Sequence, residues 1–191
     1  MPDRLYLSCW IRRFSESNML QHFEKMLGIF PFSKLSPRGP VLRVYAIEHT
    51  EPPLFERAFP PLADPGLLIA AATEFAHDDC AIQVDGSWDL WQHERDWKLE
   101  PAPVVLCCFG PAFDNEEGDH LRIEFGVDSR FLPQPGIEGS LRMVQSNVRS
   151  LLHLVGEIDG NLDLERRQLW SESGVNFSEV LAQSVGSFHV N

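Results

Sequence analysis

Apolar positions along this chain recur at two spacings, and each spacing predicts an element. Alternation over residues 5–11, Leu-Tyr-Leu-Ser-Cys-Trp-Ile, predicts a strand. Met19, Leu20, Phe23, Met26, Leu27 and Phe30 then follow at intervals of three and four, which puts them on one stripe of a helix. Ser15 or Ser17 can cap that helix, and Gly28 and Pro31 end it. A second strand is expected over residues 41–49. Prolines at 52, 53, 60, 61 and 65 break up the next stretch and leave room for one short helical turn over 54–59. Asp64-Pro65 sets a capping carboxylate before a proline whose φ already suits a first helical turn, so a helix starts there. Leu67, Leu68, Ala71 and Phe75 mark its buried stripe.

Further on, Asp85-Gly86 separates two alternating runs. Both residues tolerate the positive φ of a tight turn, so the pattern predicts a hairpin reversal at that point. Trp88 and Leu90 then face one way, and Asp89, Trp91 and His93 the other. Residues 103–109 are apolar without interruption, as a strand buried on both faces requires. Leu121, Ile123, Phe125 and Val127 alternate with His120, Arg122 and Glu124, giving a one-sided strand that pairs antiparallel with 103–109. The longest helix carries Leu141, Val144, Val148, Leu151, Leu152 and Val155, and Asp159-Gly160 closes it. Two shorter helices are expected after it, one over 163–170 and one entered at Asn176, whose spacing to Glu179 fits a reciprocal cap. The order of elements predicts an α+β fold: a mostly antiparallel or mixed sheet of about six strands, packed by amphipathic helices in a single domain over 1–191.

Composition narrows the partners. The chain has 191 residues, enough to bury a core without disulfides or metals. Its net charge is −12, spread as −5 over residues 1–100 and −7 over the rest, so it is no acidic tail. A surface this negative repels phosphate backbones and anionic lipids, which argues against nucleic acid and membrane surfaces as partners. Basic proteins, cations and neutral ligands stay open. No apolar run approaches a membrane span, and residues 1–4 lack the basic start of a signal peptide. The cysteines at 9, 80, 107 and 108 form no C-x-x-C pair, and 107 and 108 face opposite sides of a strand. They read as free buried thiols in a reducing cytoplasm.

Chemistry can sit in four places. His77-Asp78-Asp79-Cys80 is dense in ionisable groups, yet neighbours in sequence seldom converge, and His77 suits a helix C-terminus. Asp89 and His93 flank Trp91 on one strand face, with Trp97 close by. Carboxylate and imidazole there suit an acid/base pair or two metal ligands, and a tryptophan between them suits a flat ligand or a sugar ring. Residues 135–140 open a helix with two glycines but lack the phosphate-loop lysine. Residues 114–120 are acidic without calcium-loop spacing. There is no G-x-S-x-G, no H-E-x-x-H, and no pattern that calls for a metal or cofactor.

These observations favour a non-catalytic, cytoplasmic protein-interaction or ligand-binding module with Trp91 and Trp97 as binding residues. Its partner is expected to be a basic protein or a small neutral ligand. The alternative is a small-molecule hydrolase or transferase using Asp89 and His93 as acid/base groups. A homo-oligomer is a further expectation, through an apolar patch at Phe30, Phe32 and Leu35.

Overall fold

Strands that alternate apolar and polar residues bury one face, and helices with an apolar stripe cover it. The computed structural model describes residues 2–186 and shows that arrangement. In chain order the elements are β1 (Arg4–Ile11), α1 (Glu16–Ile29), β2 (Val41–Ala46), β3 (Phe55–Ala58), α2 (Pro65–Ala72), β4 (Cys80–His93), β5 (Trp97–Phe109), β6 (Leu121–Val127), α3 (Ser140–Asn161), β7 (Leu164–Ser171) and α4 (Phe177–Gly186). The seven strands form one sheet in the order β3-β2-β4-β5-β6-β1-β7, antiparallel throughout. The result is a single α+β domain.

Buried residues of all four helices join one core with alternate residues of the strands. Met19, Phe23, Met26 and Leu27 of α1 meet Leu5, Leu7, Leu106, Ile123 and Phe125, and α3 adds Val144, Leu151, Leu154 and Ile158. A smaller cluster, Ala81, Cys107, Phe109 and Phe113, lies apart from it. Cys107 and Cys108 therefore belong to different clusters, as their neighbouring strand positions require. All four thiols are free and buried, and burial pushes the Cys9 thiol up to about 12. Among the described residues no helix is long and apolar enough to cross a membrane.

Local signals held where side chains act on their own backbone. Asp64 Oδ1 accepts the Gly66 N–H at 2.8 Å, and Pro65 opens α2. Ser15 is the N-cap of α1, with Asn18 Oδ1 accepting its backbone N–H. Asn176 accepts the Ser178 N–H, while its amide donates to Glu179 rather than leaving that carboxylate to cap the backbone.

Four expectations need correction. Asp85-Gly86 is no turn: β4 runs unbroken through it and pairs with β5 from Ala81↔Phe109 to His93↔Trp97, so the chain reverses over residues 94–96. Gly86 serves close packing instead. A Cβ there would lie 2.6 Å from the Phe32 ring, and Asp85 is tied to Arg43 across the sheet. Residues 54–59 contain strand β3, because β2 offers a free edge that its backbone can pair. Residues 163–170 are mostly strand β7, paired along β1. Its charged run, Glu165 to Arg167, is exposed on a sheet edge, while Leu169 is buried and Trp170 stacks on Tyr6 at 4.5 Å. Those two segments raise the strand count from about six to seven. The apolar patch is also smaller than expected. Phe30 is buried against Trp88 with ring centroids 5.7 Å apart, Phe32 is half-buried, and only Leu35 is exposed.

Candidate functional site

The β4–β5 ladder outreaches its neighbours. β2 pairs with β4 only as far as Asp85, and β6 pairs with β5 only from Val105 to Cys108. Past those points the backbone of β4 needs other partners. The Ser33 N–H donates to Ser87 O at 2.7 Å. The Asp89 carboxylate accepts from the Ser33 hydroxyl at 2.5 Å and from the Lys34 N–H at 3.0 Å. Asn147 of α3 does the rest. Its Oδ1 accepts the Trp91 N–H, and its amide donates to Trp91 O and Arg130 O, each at 2.9 Å. This side chain is a stand-in for a neighbouring strand, and at 2% exposure it is satisfied as a buried amide must be.

So held, the outer ladder forms one side of a cleft of about 200 Å³, lined by Trp91, Gln92, His93 and Trp97. Val127 at the end of β6 and Ser129 and Arg130 after it, with Gln134 and Val144, complete it. His93 and Trp97 oppose each other across the last ladder pair, their rings 5.1 Å apart. The Trp97 indole N–H donates to Glu138 O at 2.9 Å, which fixes that ring against the entry to α3.

Arg130 supplies the cleft's permanent charge. Its Nη1 donates weakly to Phe125 O at 3.4 Å, and it takes part in none of the ion pairs among the described residues. Burial pulls its pKa down. Gly126, at φ +75°, makes room for it, since a Cβ there would lie 2.5 Å from Nη1. Both the left-handed backbone and the close approach call for glycine.

Three of the four residues singled out from the sequence therefore line one cleft: Trp91, His93 and Trp97. Asp89 does not line it. Four residues from His93, it sits about 13 Å further along the strand and already holds the 31–40 loop in place. Arg130 and Asn147 were missed. Asn147 had a legible signal, a polar residue three positions after Val144 and one before Val148 in the apolar stripe of a helix. Arg130 had none, because a turn residue reveals nothing of what surrounds it.

The other sequence candidates have structural occupations. Cys80 Sγ accepts the His77 backbone N–H, and burial raises its thiol pKa, the opposite of an activated thiolate. In the acidic loop, Asp119 is buried and held by Arg122 through two bonds of 2.7 and 2.8 Å. Residues 135–140 lead into α3, whose N-cap is Gly139. No group of three or more potential metal ligands occurs among the described residues. A second cleft of about 380 Å³, between the 31–40 loop and β4–β5, includes Asp85, already paired with Arg43. No family model matches this chain, and comparison with curated proteins and with solved structures finds no match.

Proposed function

We propose that this chain is a non-catalytic ligand-binding module whose site is the cleft between the outer β4–β5 ladder and the start of α3. One observation carries the reading: Trp91, His93 and Trp97 line a single recess whose backbone is pinned by Asn147. Binding sites of this kind combine aromatic walls with a few fixed polar groups, and pinning the walls beforehand lowers the cost of ordering them on binding. The indole of Trp97 has its hydrogen bond satisfied internally, so its ring face remains for stacking. Among the partners that composition leaves open, a small ligand fits a recess of this size better than a protein surface does. In this reading the module works in the reducing cytoplasm, which suits four free buried thiols.

The test is a titration with benzamide, a flat neutral probe, followed by NMR at the indole N–H resonances. Binding should shift those of Trp91 and Trp97 and leave that of the buried Trp88 in place. Trp91→Ala should abolish binding while keeping the wild-type fold. A Trp91→Ala chain that unfolds would make Trp91 a core residue and end the proposal.

A further inference from the structure

The cleft has a charge opposite to that of the molecule around it. The chain carries 28 acidic residues against 16 basic ones, yet no Asp or Glu lines this recess, while Arg130 and His93 do. The other two partly buried arginines have been given carboxylates: Arg43 has Glu56 and Asp85, and Arg122 has Asp119. Arg130 is half-buried and has a single long bond to a backbone carbonyl. A guanidinium has five N–H donors in a planar fork, so most of its donating capacity is unspent. Removing a cation from water without a counter-charge is costly. In a protein with acidic side chains in surplus, that cost has a natural explanation if the counter-charge arrives with a ligand.

Resting on the cleft reading above, we infer that the ligand is a small aromatic carboxylate, its ring against the indoles of Trp91 and Trp97 and its carboxylate on Arg130. The fork of Arg130 matches the two oxygens of a carboxylate, and the adjacent rings favour a flat body over an aliphatic one. The molecule's overall negative charge does not forbid this. At physiological ionic strength its field is screened over about 8 Å, so the cation in the wall outweighs carboxylates on the outer surface. Glu94 and Asp96 flank the cleft at the exposed tip of the hairpin, and neither lines it. Gly126 belongs to the same device, since any side chain there would push the guanidinium from its place.

The experiment compares benzoate with its neutral isostere benzamide on the full chain, with Kd taken from the NMR titration. Wild type should bind benzoate at least tenfold more tightly than benzamide, and added salt should narrow that ratio. Arg130→Gln should lower benzoate affinity tenfold or more and leave benzamide unchanged, while Arg130→Lys should recover part of the loss. The wild-type spectrum away from the cleft serves as the folding control; if Arg130→Gln loses it, Arg130→Lys and the salt series carry the test. Equal affinity for the two probes, or a benzoate affinity indifferent to Arg130→Gln, overturns the assignment of charge but leaves the cleft reading standing. Failure of both probes to shift the Trp91 and Trp97 resonances overturns the cleft reading itself.

Discussion

The inner and outer halves of the β4–β5 ladder obey the same alternation and solve different problems. Inside, each strand has a neighbour on its far side, and Ile82, Val84, Leu106 and Cys108 are fully buried beneath the helices. Outside, no further strand is present. Ser33 and Asn147, borrowed from a loop and a helix, satisfy the backbone, and Leu99 is 42% exposed. The inner half is held by apolar burial and by flanking strands, whereas the outer half, which also buries Trp88 and Leu90, takes its flanking hydrogen bonds from distant parts of the chain. That is why the recess with binding character lies at the outer end: walls that need no neighbouring strand are free to face a ligand.

Paired truncations test the contrast most strongly. Leu106→Ala should cost about 2–5 kcal/mol, since it empties a fully buried site. Leu99→Ala, seven residues away on the same strand, should stay within about 0.5 kcal/mol. Urea unfolding with unchanged slope measures both, and equal losses would erase the distinction between the halves. Asn147→Ala comes next. It strands the Trp91 N–H, Trp91 O and Arg130 O together, for an expected cost of about 2–3 kcal/mol. Amide exchange should accelerate at Trp91 more than at Ile82; uniform acceleration would mean that Asn147 supports the whole sheet.

The smallest effect expected is one of pH, at the inner root of the ladder. His120 Nδ1 accepts the Ile11 N–H at 2.8 Å, so the ring there must be neutral, and burial lowers its pKa from the ordinary 6.5. The folded state then binds fewer protons than the unfolded one. This contribution to stability is complete above about pH 6.5 and is lost as pH falls from there through the folded value. His49 and His22 shift the same way, whereas burial raises the pKa of Glu124 above the ordinary 4.5, so its effect has the opposite sign: it sets in as pH falls through the raised folded value and is complete near 4.5. Comparing wild type with His120→Gln between pH 7.5 and 5.5 isolates the histidine. A variant with the full wild-type slope would remove His120 from the account.

Much of the fold was legible because the pattern was local. The stripe of α1, the Asp64 cap and the alternation of β6 depend on residues two to four apart, and all are present; in α3, Val144, Val148, Leu151 and Val155 are buried as expected, but Leu141 and Leu152 are exposed, as is Leu67 of the stripe expected in α2. The Asp85-Gly86 turn failed for a reason outside its own segment. A turn propensity of this kind is outweighed when thirteen consecutive ladder pairs with β5 are gained by running straight on, and when Phe32 needs the space that a side chain at 86 would fill. β3 and β7 were misjudged likewise. Proline spacing and scattered charges describe a short segment, but an unpaired sheet edge decides that it becomes a strand. At the site, alternation put Trp91 and His93 on one side of β4, and proximity suggested Trp97. It also put Asp89 beside them, since a strand pattern shows the face of a residue and not its partner.

Alone, then, the sequence determined which residues are apolar and at what period, hence a single α+β domain with helices over a mostly antiparallel or mixed sheet. It also determined a net charge that sets the long-range field. Tertiary structure alone decided the strand order, the edges that recruited β3 and β7, and the meeting of Arg130 with two tryptophans more than thirty residues away. Periodicity is a property of neighbours along the chain, whereas a cleft is made by groups that only the closing of loops brings together.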